Sequence, residues 1–201
     1  MSRVAFTLIL VVFLLAPSVL VHWPDCAHAQ SLRQKSKTEK GTRAPLEIHY
    51  GTEGLPEHVR ELREALIEAI RSGRIEDLRY AYDLNDIKPD LGNATVEDPV
   101  AHWRKISGDG EGREILDALS LILESGYVVL PLGADLENNR LYIWPYFAEV
   151  PLGKLTPAQE VELLRLVPPA AAKGMKSAGK YSHWRLAIGA DGAWHSFRKI
   201  D

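Results

Sequence analysis

A β-hairpin near the end of the chain decides the fold, and its sequence over residues 184–197 is WRLAIGADGAWHSF. Two runs rich in β-forming residues, 184–188 and 193–197, flank the turn sequence Ala-Asp-Gly at 190–192. Asp-Gly between such runs is a strong signal for a tight turn that joins antiparallel strands. The C-terminal part of the chain is therefore predicted to contain an antiparallel sheet.

Two registers are open for this hairpin. If residues 191–192 form a two-residue turn, Ile188 faces His195 and Trp194 points outward. If the loop has three residues with Gly192 in a bulge, Ile188 faces Trp194 and the indole turns inward. We favour the first register, because it keeps the arginines of the two strands together on a polar face. It places four apolar side chains on one buried face: Trp184, Leu186, Ile188 and Phe197.

Helical patterns precede the sheet. Apolar residues recur at helical spacing in residues 56–72, and Gly73 comes next as a C-terminal stop. Asp98 and Pro99 have the form of an N-cap and a first-turn proline, which indicates that a helix starts there. Four helices are predicted before the first strand: over 56–72, over 75–84, from 98 onward and over 113–125.

The apolar period changes to that of strands after residue 126. Residues 127–132 and 140–149 are rich in β-forming residues, and 133–139 form the predicted hairpin turn between them. One helix interrupts the strands, because Thr156 begins a capping-box sequence and the Pro-Pro pair at 168–169 ends the helix that it starts. We predict one α+β domain over residues 46–201, in which N-terminal helices pack on a C-terminal antiparallel sheet.

Residues 1–29 have the three parts of a signal peptide. A basic residue precedes an apolar run over 4–20, and the segment ends Ala-His-Ala at 27–29. We predict cleavage after Ala29 and a periplasmic or secreted mature chain without a membrane span. An uncleaved membrane anchor is the alternative, because about 20 apolar residues cross a bilayer. Cys26 is the one cysteine of the chain, so the mature domain would have no disulfide and no thiol nucleophile.

Charge divides the rest of the chain into two parts. Residues 30–45 carry five Lys and Arg residues against one Glu, a net charge of +4, with almost no large apolar residue. We predict a disordered basic linker, either solvated or in contact with an anionic lipid or cell-wall polymer. Residues 46–201 hold 18 Lys and Arg against 25 Asp and Glu, a net charge near −7, which disfavours nucleic-acid binding by the domain.

Three stretches carry a resemblance to known proteins: LYIWPYFAE at 141–149, LTPAQEV at 155–161 and WRLAIGADGAW at 184–194. Together they resemble a family of uncharacterised bacterial exported proteins, over roughly the C-terminal third of the chain. The order of helices and strands is also similar to that of the nuclear-transport-factor-2-like cone. That fold serves both enzymes and binding modules, so the resemblance implies an architecture and no activity.

The sequence contains no motif for a metal, a cofactor or a nucleophile. The five histidines after residue 29 lack the spacing of paired ligands on one element, and there is no Gly-x-Ser-x-Gly elbow. The glycine-rich stretch 108–112 contains Asp109 and Glu111, whose charges repel phosphate, so we interpret it as an acidic connection between helices. We therefore predict no metal and no cofactor.

Aromatic residues alternate along the predicted strand 140–149, so that Tyr142, Trp144 and Tyr146 fall on one face. This face either packs in the core or forms an aromatic groove for a ligand. Aromatic stripes usually fill cores, whereas Pro145 indicates an edge or a bulge and so favours the groove. The candidate ligand-binding residues are Tyr142, Trp144, Tyr146 and Trp194.

These features favour an exported, non-catalytic binding or interaction module, whose ligand is a small molecule, a glycan or an envelope protein. Two alternatives stay open. One is a small hydrolase or isomerase with a cone-shaped pocket, in which Asp109 or Glu149 works with a histidine. The other is a structural envelope protein without a pocket.

Overall fold

The computed structural model describes residues 46–92, 96–132 and 139–201. The predicted signal peptide, the predicted basic linker and most of the predicted turn at 133–139 lie outside these residues. Among the residues described, no helix combines the length and the apolar character that a membrane span requires.

Helices occupy the first part of the described chain, as predicted, and four of them precede the first strand. The α-helices are α1 (Glu57–Ser72), α2 (Leu78–Asp83), α3 (Pro99–Ile106), α4 (Arg113–Glu124), α5 (Pro157–Leu166) and α6 (Pro169–Ala178). Short 3-10 turns lie at Ile75–Asp77, Tyr146–Ala148 and Leu152–Lys154.

The strands form one antiparallel sheet in the order β1-β2-β3-β4. They are β1 (Val128–Pro131), β2 (Arg140–Trp144), β3 (Trp184–Gly189) and β4 (Trp194–Lys199), and α5 and α6 lie in sequence between β2 and β3. The segment before α1 adds one antiparallel bridge, in which His49 and Tyr127 exchange two backbone hydrogen bonds of 2.8 Å. The predicted α+β fold with helices before an antiparallel sheet is confirmed.

Local sequence signals set several of the helix ends. Asp98 accepts a hydrogen bond from the backbone N–H of Val100 at 3.1 Å, which satisfies a free donor of the first turn of α3. Thr156 and Gln159 form the reciprocal capping box at the start of α5. Gly73 ends α1 with a left-handed φ of 68°, a conformation that glycine adopts without a steric penalty.

Two elements differ from the sequence prediction. Strand β2 ends at Trp144 instead of continuing to residue 149, because Pro145 has no N–H for the ladder and the chain turns into the 3-10 segment Tyr146–Ala148. Helix α6 was not predicted at all. The proline pair does end α5, but Pro169 is also the first residue of α6, where a missing N–H has no cost.

The favoured register of the last hairpin is wrong at its turn. The loop has three residues, and the Gly189 N–H donates to the Ala193 carbonyl at 2.8 Å. Ile188 therefore pairs with Trp194. A bulge then shifts the register between Ala187 and Ile188, so that Leu186 pairs with Phe197, as predicted. The indole of Trp194 is consequently buried rather than exposed.

The inward Trp194 joins the helices to the sheet. Its ring stacks on Trp103 of α3, with centroids 6.2 Å apart and planes 18° from parallel. The ring of Tyr82 in α2 packs edge-on against Trp103, at a centroid distance of 6.2 Å. Aromatic pairs of this kind contribute about 0.5–1.5 kcal/mol beyond the burial of their area. The stack therefore holds α2 and α3 against β4.

The hairpin loop depends on the conformation of Gly192, a position at which a side chain is poorly tolerated. Its φ is 82°, and a Cβ there would lie 2.9 Å from the backbone oxygen of His58. We expect Gly192→Ala to lower the free energy of unfolding by about 1–3 kcal/mol, measured by urea denaturation.

The matched control is Gly174→Ala in α6, where nothing lies within 4 Å of the added carbon. Because alanine has a higher helix propensity than glycine, this variant should be more stable than the parent by about 0.5–1 kcal/mol. Equal effects of the two substitutions would contradict the left-handed conformation of Gly192 and its close approach to His58.

Candidate functional site

The four candidate ligand-binding residues are all buried and lie in the core. Tyr142 and Trp144 pack against Tyr127, with ring centroids 6.0 and 4.9 Å away. Tyr146 packs against Phe147 at 4.1 Å, and Trp194 lies in the stack with α3. The structure thus divides the four among separate core contacts. The geometry matches core packing, the alternative interpretation, and a binding surface has to be sought elsewhere.

Tyr146 has a polar partner despite its burial. Its hydroxyl donates to Oε2 of Glu162 at 2.9 Å, and the hydroxyl of Tyr50 donates to both oxygens of the same carboxylate at 3.1 Å. Burial, followed by the hydrogen bond to Glu162, raises the pKa of Tyr146 far above its usual range. Burial and the Glu162 charge raise the pKa of Tyr50 as well. This network links the segment before α1 to α5.

A small cleft of about 120 Å³ lies beside this network, between α4 and α5. Arg165 and Glu124, 3.6 Å apart and both exposed, stand at its edge. The cleft is too small for most organic ligands, whose pockets span about 300–1,000 Å³. We assign the network a structural role, because each phenol is already engaged with the carboxylate.

The two acids proposed for catalysis are committed to structural contacts. Asp109 accepts hydrogen bonds from the hydroxyl of Ser107 and from three backbone N–H groups that lead into α4. These bonds lower the pKa of Asp109. Glu149 accepts a hydrogen bond from Arg185 at 3.1 Å. Among the described residues, no group of three or more His, Cys, Asp or Glu side chains is arranged to hold a metal ion.

A broad concave surface lies between α1 and α2, and we call it the α1–α2 groove. It consists of two adjoining concavities of about 390 and 700 Å³. Ala65 and Tyr80 line both, so the two spaces meet at these side chains. The hairpin loop closes one end, where Asp191 and Gly192 line the first concavity.

Apolar side chains are exposed along α2 and the loop after it. Tyr80 is 67% exposed, Leu84 is 58% exposed and Ile87 is 87% exposed. We call these three residues the α2 face. Tyr80 and Leu84 stand one helical turn apart and both line the first concavity, so the apolar surface continues into the groove.

The groove is acidic. Six of its described lining residues are carboxylic acids, whereas Arg79 is the one permanent cation among them. The acids are Glu61, Glu68, Glu76, Asp77, Asp83 and Asp191. His58 also lines the first concavity, and its Nδ1 lies 3.1 Å from Oε2 of Glu61, with both side chains exposed.

A second groove, of about 400 Å³, runs between α5 and α6. Its apolar lining includes Leu163, Leu164 and Ala172, and its rim carries Glu160 and Lys176, which form an ion pair of 2.5 Å. Leu164 and the nearby Val161 are exposed. This groove is less charged than the first, and nothing on its rim selects one chemistry of ligand.

Sequence reasoning missed the α2 face. The pattern of residues 75–84 predicts a short helix but does not predict which of its faces is buried. The signal lies in the order of residues. Leu78, Ala81 and Tyr82 are buried, while Tyr80 on the helix and Leu84 directly after it form a second, exposed apolar stripe. Periodicity alone does not tell which of two stripes faces the core.

Comparison with protein-family models, with characterised proteins and with solved structures finds no match to this chain. Its function is therefore inferred from the surfaces described above.

The contact between Tyr146 and Glu162 can be tested by stability. Glu162→Ala leaves the buried Tyr146 hydroxyl without its acceptor, so we expect the free energy of unfolding to fall by about 1–3 kcal/mol. Glu160→Ala, two residues earlier, removes only an ion pair near the surface and should cost less than about 1 kcal/mol. Urea denaturation near pH 7 measures both, and similar losses would contradict the assignment.

The same network has a pH signature. Because the folded state raises the pKa of Tyr146 above its ordinary value near 10, the unfolded chain loses this proton first. The contribution to stability is therefore complete below about pH 10 and is lost as the pH rises further. Tyr146→Phe should show a shallower loss of stability above that pH than the parent.

Proposed function

We propose that this chain is an exported, non-catalytic binding module that contacts a protein partner through the α2 face. The observation that carries the proposal is the exposure of Tyr80, Leu84 and Ile87 within eight residues. Single exposed apolar residues are common, but a cluster that continues into a concave surface is typical of an interaction site.

The energetics support a protein partner. Burying one large apolar side chain contributes about 1.5–3 kcal/mol relative to leaving it in water. Interfaces usually depend on a few such anchors near their centre, with Tyr enriched among them. Tyr80 on α2 and Leu84 directly after it lie at the edge of a groove, which is a suitable position for anchors of this kind.

The catalytic alternative has less support. His58 and Glu61 do meet in a concavity, at 3.1 Å. Both side chains are more than 60% exposed, however, so water surrounds them. General acid–base catalysis depends on positioned groups, which this surface pair on a single helix does not provide. A purely structural envelope protein would leave the α2 face without a role.

The contact can be tested by crosslinking in cells that make the protein. With the photoreactive p-benzoylphenylalanine at position 84, irradiation should give a discrete adduct of higher mass. The control is the same group at position 161, because Val161 is 62% exposed on α5 and so offers comparable access. Tyr80→Ser should reduce the adduct from position 84 by about tenfold or more, since a central aromatic contact contributes about 2 kcal/mol.

The outcome that contradicts the proposal is equal labelling from the two positions, or an adduct from position 84 that Tyr80→Ser does not reduce. Thermal denaturation of the purified variants checks that the fold is intact, which we expect because Tyr80 is 67% exposed.

Export is proposed from residues 1–29, and its test is the N-terminus of the mature chain. Mass spectrometry of the protein from the periplasm or medium should find Gln30 as the first residue. Ala29→Phe should block processing, because signal peptidase requires a small residue there, whereas His28→Phe should not. A chain that keeps residues 1–29 in the membrane would support the anchor instead.

A further inference from the structure

We infer that the α1–α2 groove binds a cationic peptide segment, which sets an apolar side chain against Tyr80 and Leu84 and places Lys or Arg side chains in the concavities on either side. This inference rests on the proposed function and names the chemistry of its partner. Its starting point is the lining of the groove, in which acidic and apolar side chains occur together.

The groove has the form of two acidic subsites divided by an aromatic residue. The first concavity has Leu62 and Leu84 as apolar lining, with Glu61 and Asp191 beside them. The second has the small side chains of α1 as its apolar lining and four carboxylates around them. Tyr80 borders both. A peptide across this surface meets charge, then an apolar contact, then charge again.

The carboxylates of the groove can accept a new cation at little cost. All four acids of the second concavity already pair with cations of the chain near the surface. Glu68 pairs with Arg71 at 2.6 Å and Asp77 with Arg74 at 2.8 Å. Asp83 lies 3.9 Å from the ammonium of Lys88, and Glu76 pairs with Arg104. Exposed ion pairs contribute only about 0–1 kcal/mol, so an exchange of partners is inexpensive. Asp191 accepts one backbone hydrogen bond, from Ala193, and a carboxylate has capacity for more.

Arg79, the one permanent cation among the described residues that line the groove, already has an anionic partner. Arg79 donates to Asp98 at 2.5 Å, so its charge is directed toward the start of α3. The domain as a whole carries a net charge near −7 over residues 46–201, which adds long-range attraction for a basic partner. The exposed ring of Tyr80 supplies a face on which an Arg or Lys side chain can stack.

Other occupants fit this surface less well. A second copy of the chain would bring the same carboxylates face to face in a symmetric dimer, and like charges oppose association. An anionic lipid or nucleic acid would meet the same repulsion. A neutral apolar segment would contact Tyr80 and Leu84 but would leave the acidic lining without a partner.

Defined peptides test the inference on the mature protein. The probes are three short peptides, acetylated and amidated, built on Lys-Leu-Lys, Gln-Leu-Gln and Glu-Leu-Glu repeats. Titration calorimetry or ¹⁵N chemical shifts should show that the Lys peptide binds about tenfold more tightly than the Gln peptide at low salt. The preference should shrink in about 0.5 M salt, because ions screen exposed charges. The Glu peptide should be the weakest.

Matched variants locate the binding. Glu61→Gln combined with Asp191→Asn should reduce the preference for Lys over Gln, because it removes both carboxylates of the first concavity, with the affinity for the Gln peptide unchanged. Glu160→Gln removes a carboxylate from the α5–α6 groove instead and should leave the preference intact. Leu84→Ser should weaken the binding of every peptide, because it removes the shared apolar contact.

The results separate this inference from the proposed function. Equal affinities for the Lys and Gln peptides, both reduced by Leu84→Ser, overturn the cationic partner and leave the α2 face as a docking surface. A Lys preference that Glu61→Gln with Asp191→Asn does not change places the binding elsewhere and overturns the inference. Absence of binding by the Lys peptide at about 1 mM overturns it as well, since such affinity is the minimum for weak recognition.

Discussion

The position of Trp194 is the constraint on which the rest of this structure depends. Its ring stacks on Trp103, and its backbone N–H donates to Oδ1 of Asn85 at 2.7 Å. The Asn85 side chain in turn donates to the carbonyl of Ala81 at 2.9 Å, and the whole group is buried. A buried amide that lost either partner would cost about 1–3 kcal/mol. The side chain of Asn85 thus connects the end of α2 to β4, the edge strand of the sheet.

This connection also shapes the proposed binding surface. Because Asn85 anchors the C-terminal end of α2 on β4, the helix has one orientation, with Ala81 and Tyr82 toward the core. Tyr80 and Leu84 then project on the opposite side, beside α1. The exposed apolar stripe is therefore held by core packing rather than by local preference. A binding surface built on a rigid element loses little entropy when a partner orders it.

The pattern of the sequence predicted the elements whose signals are local. The N-cap at Asp98, the capping box at Thr156 and the stop at Gly73 all act within one turn of their own helix, and each is found where the residue types indicate. The fold class is set by the same patterns, since runs of helical spacing come before runs of strand spacing. The prediction failed at two prolines, Pro145 and Pro169, because the residue that ends one element can also begin the next.

The candidate site, in contrast to the helix ends, could be predicted from the sequence only in part. Its acidic character is present in the composition of residues 46–201, but the aromatic strand that drew attention is part of the core. Nothing local determines whether Trp194 faces inward, because both turn lengths are compatible with Asp-Gly; the contact with Trp103, distant in sequence, decides it. The amino-acid sequence by itself determined the order and type of most elements, through interactions between neighbours. Only the tertiary structure decided which apolar residues are covered, because burial depends on what packs against each face.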